Sequence, residues 1–141
     1  MTQSNGITGQ IEVVTIIVQD GQRQVTTSKA PVTIHQKNQL FFIRYTESET
    51  QAQVLIKSDL RNNLVLVRKS PHINRMSFQK GSQTQISYQT AAGFMELDCT
   101  TSHLQARRKA NDQLIGLEWS YQLHQEKEIL GDYQVKLHFM L

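Results

Sequence analysis

The sequence has little cysteine, little proline and no long apolar run. It contains one Cys and two Pro in 141 residues, and the single Cys99 excludes an intramolecular disulfide. The longest apolar runs, VVTIIV and LVLV, fall far short of the roughly 20 residues of a membrane-spanning helix. The start, MTQSNGITGQIE, lacks the basic and apolar regions of a secretory signal. We therefore expect a cytoplasmic protein with no membrane partner, folded as one domain over residues 1–141.

Apolar residues do not recur at the spacing of a helix. Instead, apolar and polar residues alternate along the sequence. In LIGLEWSYQL (114–123), Ile115, Leu117, Trp119, Tyr121 and Leu123 share one parity, and polar residues or glycine occupy most of the other. The segment YQVKLHFML (133–141) alternates in the same way. Successive side chains of a strand point to opposite faces, so both segments are predicted to be half-buried strands.

Similar patterns predict about ten or eleven short antiparallel strands joined in sequence. Asp20-Gly21 favours a tight hairpin turn, because both residues tolerate positive φ. Further candidate strands lie at 32–37, 40–48, 52–58, 63–69, 73–80, 83–90, 94–101 and 103–110. So long a sheet must curl or close to remove its edges. The expected fold is all-β, a closed up-and-down antiparallel barrel of about 8–10 strands with little helix.

The stretch SYQTAAGF (87–94) is predicted to be a corner between two strands. Tyr88 and Thr90 share a face of the first strand, and Ala91-Ala92-Gly93 turns the chain. Gly93 is expected to adopt a backbone angle that other residues resist.

Several polar residues have the same strand parity as the apolar residues before them, so they are predicted to lie on the same face of the strand. Glu47 follows Phe41, Ile43 and Tyr45, and Arg68 follows Leu64 and Leu66. In a closed barrel, Glu47 and Arg68 could point inward near Tyr88, Thr90 and Tyr121, where a buried charge requires a partner. These five residues form the candidate ligand-binding cluster. The alternatives are a purely structural Glu47–Arg68 pair, or two strand ends in solvent.

Motifs of catalysis and metal binding are not found in the sequence. The five His residues lack the short spacings of metal sites, and neither a phosphate loop nor a Gly-x-Ser-x-Gly turn occurs. Cys99 shares its parity with Leu97 and is expected to be a buried apolar residue. If the last hairpin pairs residues whose numbers sum to about 256, Glu118 faces His138. We expect no enzyme, no metal and no cofactor.

One basic run, ARRKA (106–110), offers an alternative anion or nucleic-acid patch formed by Arg107, Arg108 and Lys109. A strand would divide these residues between two faces, and no aromatic residue is interleaved with them, as single-strand binding favours. With a formal net charge of only +3, nucleic acid is not the expected partner.

The segments FIRYTESE, LVLVRKS, MSFQKGS, ISYQTAAGFMELDCTTSHLQ and GLEWSYQLHQ…LGDYQVKLHF, in this order, resemble the YwiB-like family of uncharacterised bacterial β-barrel proteins. The resemblance implies a lipocalin-like (calycin-like) barrel from a Gram-positive cytoplasm. Glu47, Arg68, Tyr88, Thr90, Gly93 and Tyr121 match the family pattern, which implies no catalytic role for them.

Three functions follow as hypotheses. The first is a non-enzymatic barrel that binds a small apolar or amphipathic ligand in its mouth or interior; a core packed shut by Trp119, Phe41, Phe94 and Phe139 would argue against it. The second is a structural or interaction module that contacts protein or RNA through its outer surface. The third is a small hydrolase or isomerase with Glu47 as base, which requires a raised pKa. A homodimer is possible under each.

Overall fold

The computed structural model describes residues 6–141 and contains strands without helices over that range. Alternating apolar and polar residues form ten strands. Their bounds are β1 Ile7–Gln19, β2 Gln22–Lys37, β3 Leu40–Thr46, β4 Gln53–Ser58, β5 Asn63–Lys69, β6 Ile73–Gln79, β7 Gln83–Thr90, β8 Gly93–Arg108, β9 Leu114–Gln125 and β10 Glu128–Met140. The all-β prediction is confirmed.

The strands form one antiparallel sheet in the order β6-β5-β4-β3-β2-β1-β10-β9-β8-β7. The sheet curls until β6 and β7 meet, which gives a nearly closed barrel. Side chains bridge this last gap. Asn74 of β6 accepts a hydrogen bond from the Gln89 amide (2.7 Å) and donates one to the Gln89 carbonyl (3.3 Å), while the Thr84 hydroxyl donates to the Ser77 carbonyl (2.5 Å). We call this the β6–β7 seam.

The barrel has two chemically different ends. The loops β1–β2, β3–β4, β5–β6, β7–β8 and β9–β10 surround one end, called here the mouth, and the other loops surround the base. In the base half, the inward side chains Ile43, Leu104, Leu117, Trp119 and Leu137 are at most 2% exposed. Burying each such side chain stabilises the fold by roughly 1.5–3 kcal/mol, so the base is a solid core.

The predicted turns form as expected. Asp20 and Gly21 both have positive φ, 50° and 75°, and join Gln19 to Gln22 in a two-residue hairpin turn. Gly93 has a φ of 120°, a backbone angle that side-chain-bearing residues avoid. The corner predicted at SYQTAAGF is therefore present.

Two details of strand pairing differ from the sequence prediction. Segments 94–101 and 103–110 form the single strand β8, which stays continuous through a bulge between Thr101 and His103. Glu118 pairs with Lys136, and not with His138. The turn between β9 and β10 consists of Glu126 and Lys127 alone, and a bulge lies between Ile129 and Gly131. Because the register shifts by two residues, the buried faces stay the same.

Candidate functional site

The inner surface of the mouth half carries tyrosine and polar side chains, whereas apolar side chains fill the base. All four tyrosines of the chain, Tyr45, Tyr88, Tyr121 and Tyr133, lie there, each half-buried against the core. Inward side chains that keep partial exposure border space that the protein does not fill. The mouth is therefore a recess above a sealed base.

Glu47 and Arg68 form a two-pronged ion pair at this end. Glu47 follows the last residue of β3, and Arg68 is the penultimate residue of β5. Arg68 donates from Nη2 to Oε1 (2.9 Å) and from Nε to Oε2 (3.1 Å). This parallel geometry is a strong form of charge-assisted hydrogen bonding. The side chains of Arg68 and Glu47 remain 32% and 27% exposed, so the pair faces the recess.

The β3–β4 loop holds the Glu47 carboxylate in place. The Thr50 hydroxyl donates to Oε1, and the Glu47 amide donates to the Ala52 carbonyl (2.8 Å). Burial alone would raise the pKa of Glu47, but the hydrogen bonds from Arg68 and Thr50 outweigh burial and lower it. The same pair raises the pKa of Arg68, chiefly through the hydrogen bond to Glu47. A carboxylate whose pKa is lowered is a weaker base and therefore a poor general base.

Tyr45 and Tyr88 lie near the ion pair, whereas Tyr121 and Tyr133 stack on each other. The Tyr121 ring lies parallel to that of Tyr133, with centroids 5.0 Å apart, and packs at 4.6 Å against Phe78, which belongs to the core below. Burial raises the pKa of both Tyr45 and Tyr121, so their phenols stay protonated at neutral pH. Each is then a neutral hydroxyl on an aromatic surface.

Tyr88 and Thr90 differ in what they offer to the mouth. Tyr88 lies within electrostatic range of both Arg68 and Tyr121, which places it between the ion pair and the stacked tyrosines. The Thr90 hydroxyl is used within its own turn, where it accepts from the Ala92 amide (3.2 Å) and donates to the Gly93 carbonyl (2.9 Å). The structure thus brings four of the five predicted residues together and gives Thr90 a turn-forming contact.

A pocket of about 410 Å³ opens at the rim beside the ion pair. Its walls come from inward residues of β1 and β2, from Tyr45 and from the β3–β4 loop. The lining residues include Val13, Thr15, Ser28, Tyr45, Glu47 and Thr50. This volume falls within the range of small-molecule sites.

The predicted basic run does not form one patch. Arg108 turns to the base of the barrel, where it pairs with Asp112 (3.1 Å) and lies 5.5 Å from the centroid of the Phe41 ring. Arg107 lies over Gly116, where an added Cβ would meet its guanidinium at 2.7 Å. Lys109 belongs to the following turn, its amide donating to the Gln113 carbonyl.

Cys99 is buried, and burial raises the pKa of its thiol to about 11, so it is a packed apolar residue. Residues 6–141 hold no group of three or more potential metal ligands. Within the same range there is no helix that could cross a membrane.

Sequence reasoning missed Tyr45 and Tyr133 as members of the mouth. Both were recognised as inward residues, but strand parity does not tell how far along the barrel a side chain lies. Cross-strand register supplies that information, and it pairs Tyr133 directly with Tyr121. Asn74, which bridges the seam, was also missed, since its contact is with backbone that the sequence cannot position.

Comparison with known proteins places the chain among β-barrels of unknown function. The family described as "Domain of unknown function (DUF1934)" matches residues 11–137. The crystal structure of ywiB protein from Bacillus subtilis is similar, with a TM-score of 0.72 over 96% of this chain and 94% of that chain, at 15% identity. At that identity the likeness supports the fold alone. None of the curated proteins matches the chain.

Proposed function

The chain belongs to the DUF1934 family, whose function is unknown, and we propose that it binds a small amphipathic molecule in the mouth of its barrel. One observation carries the proposal: the inward side chains of Thr15, Ser28 and Tyr45 stay half-exposed around the rim pocket, whereas the base of the barrel is filled. Of the two predicted places, mouth and interior, the interior of the base is not available, because Trp119, Phe41 and Phe139 fill it. Phe94 lies outside, 70% exposed. The ligand therefore sits above the core.

The chemistry of the recess favours a molecule with a flat apolar part and a polar part. The Tyr45 ring in the pocket wall offers aromatic surface. The Glu47–Arg68 pair offers a donor and an acceptor side by side, with no net charge. A fully anionic ligand would have to displace Glu47 from Arg68, so a neutral or zwitterionic polar group fits better.

A binding role explains the ion pair better than catalysis does. Arg68 holds Glu47 by two hydrogen bonds and lowers the pKa of its carboxyl, which removes the basicity that a hydrolase or isomerase would need. The rigidity of the pair suits recognition, since a preorganised polar group loses little freedom on binding.

The first experiment is native mass spectrometry of the purified protein, followed by denaturing extraction of any bound molecule. We expect a small molecule at one per chain. The same measurement on Thr15→Phe, which fills the pocket from its inner wall, should show the bare chain. Val14→Phe is the matched control, because Val14 neighbours Thr15 but points outward, and it should keep the ligand.

A bare mass for the wild type calls for a second measurement, titration with the neutral fluorescent probe N-phenyl-1-naphthylamine. Saturable binding that Thr15→Phe weakens at least tenfold, and Val14→Phe does not, supports the proposal. Equal binding by both variants, with both folded by circular dichroism, overturns it.

A further inference from the structure

One side of the outer barrel surface carries positive charge without negative charge. On β2–β6, side chains opposite in parity to the core point outward, and they include exposed Lys37, Arg44, Lys57, Lys69 and Arg75. The acidic residues between Gln22 and Gln79 are Glu47, Glu49 and Asp59, and all three lie in loops at strand ends. We call the outer surface of β3–β6, with Lys37 at its border, the basic face.

The charges of the basic face are free to attract a partner. Among residues 6–141, the ion pairs join Arg68 to Glu47, His103 to Glu118 and Arg108 to Asp112, and none uses a cation of this face. Acidic strand residues such as Glu96, Asp98 and Asp132 lie on β8 and β10 instead. The outer surface is therefore electrically polarised, although the net charge of the whole chain is only +3.

Apolar surface runs between these cations. Cross-strand register aligns Arg44, Leu55, Val67 and Arg75 in one row, and Phe42, Lys57 and Val65 in the next. The rows lie about 7 Å apart along the strands. The Arg44 guanidinium and the Lys57 ammonium lie 5.9 Å and 5.8 Å from the Phe42 ring centroid.

A groove of about 490 Å³ crosses the same surface. Leu55 and Val67 contribute apolar lining, Arg44 and Lys69 contribute cations, and Thr33, Thr46 and Gln53 add neutral polar groups. This groove lies on the outer side of β3–β5 and shares Tyr45 with the mouth pocket, which is otherwise lined by β1, β2 and the β3–β4 loop.

We propose that the basic face binds single-stranded nucleic acid. A flexible strand can lay its phosphates along Arg44, Lys57, Lys69 and Arg75 while unpaired bases contact Phe42 and the apolar groove. Cations that follow the backbone and aromatic or apolar surfaces that accept base faces are the two components of single-strand binding sites. A duplex would use the charges but leave the apolar groove empty, because its bases are stacked inside.

The test measures fluorescence anisotropy of a labelled 15-nucleotide oligouridylate between 50 and 200 mM salt. We expect the triple variant Arg44→Gln, Lys57→Gln, Lys69→Gln to bind at least tenfold more weakly than the wild type. Loss of three phosphate contacts should also make the slope of log affinity against log salt shallower by about 2, at roughly 0.7 per contact.

Two further variants separate this proposal from general charge attraction. Arg107→Gln, Lys109→Gln, Lys136→Gln removes the same charge from elsewhere on the surface and should bind within about twofold of the wild type. Phe42→Leu should weaken binding about fivefold or more with the salt slope unchanged, because stacking is lost and charge is not. All variants are checked for folding by circular dichroism.

Four results would overturn the proposal, and the first three are absence of binding at 50 mM salt, equal weakening by the two triple variants, and preference for a polyglutamate chain over the oligouridylate. Equal affinity for duplex and single-stranded RNA with no effect of Phe42→Leu would do the same. Equal affinity for duplex and single strand would indicate that the surface binds nucleic acid through charge alone.

Discussion

At the scale of single residues, the Glu47–Arg68 pair makes a measurable prediction about coupling. Both side chains are about one-third exposed, so water screens the attraction, while the two-pronged geometry strengthens it. We expect Arg68→Met to lower the free energy of unfolding by about 1–2 kcal/mol, since it leaves a half-buried carboxylate without its partner. A double-mutant cycle with Glu47→Gln, measured by urea unfolding, should give a coupling of about 1 kcal/mol.

The cycle contains its own control. In the double variant, the unpartnered charge is gone, so its stability should exceed that of Arg68→Met alone. Additive losses, with no coupling beyond experimental error, would contradict the idea that the two side chains act as a unit.

At the scale of the element, the β6–β7 seam is the place where the barrel depends on side chains. Asn74, only 8% exposed, provides both a donor and an acceptor to the backbone of Gln89. Asn74→Ala leaves both groups without that partner, and we expect a loss of about 1–3 kcal/mol. Hydrogen exchange of the Gln89 amide should accelerate, while amides in the β1–β2 ladder keep their protection.

Gln79→Ala supplies the matched control for this prediction. Gln79 is exposed at the opposite end of β6, so its substitution should change stability by less than about 0.5 kcal/mol. If Asn74→Ala leaves exchange at Gln89 unchanged, the side-chain bridge does not hold the seam.

The strands also show how far sequence reasoning reaches. Alternation fixed the inward face of β9, with Leu117, Trp119 and Leu123 buried as predicted. The predicted register was wrong by two residues, because Glu118 pairs with Lys136 and not with His138. An alternating pattern specifies which face each side chain is on. It does not specify the register, because moving one strand past its neighbour by two residues leaves every side chain on the same face. Turn length and bulges, which decide the register, leave weak sequence signals.

At the scale of the whole molecule, the fold brings together residues that are far apart in the sequence. The basic run at 106–110 is the most visible cluster in the sequence, but its residues separate in the structure. The cations of the basic face come singly from separate strands, for example Arg44 from β3 and Lys57 from β4. A sheet brings together every second residue of neighbouring strands, so a surface patch is invisible until strand order is known. The same reasoning explains why the tyrosine-lined mouth was only partly predicted.

Acid stability is a property of the whole barrel that two carboxylates control. Asp59, which turns the chain between β4 and β5, accepts hydrogen bonds from the amides of Arg61, Asn62 and Asn63. Burial opposes ionisation of Asp59, but these bonds outweigh it and lower its pKa to about 2. The pKa of Glu47 is lowered as well.

A carboxyl group whose pKa is lower in the folded state stabilises the fold above its unfolded pKa, and that stability disappears as pH falls through the folded value. The unfolded values are near 4.5 for Glu47 and 3.8 for Asp59. Stability should therefore be constant near neutral pH with respect to these groups and decrease between pH 4.5 and about 2. Partial exposure limits the combined loss to about 1–2 kcal/mol.

Urea unfolding at a series of pH values tests this expectation, with the double variant Glu47→Gln, Asp59→Asn as the comparison. The variant keeps the shape of both side chains but removes both titrations, so its stability should be lower than that of the wild type at pH 7 and should change less down to pH 2. Parallel curves for the two proteins would assign acid sensitivity to other carboxyl groups. In that case, repulsion among the cations of the basic face, strengthened as acidic residues elsewhere become neutral, would be the dominant force at low pH.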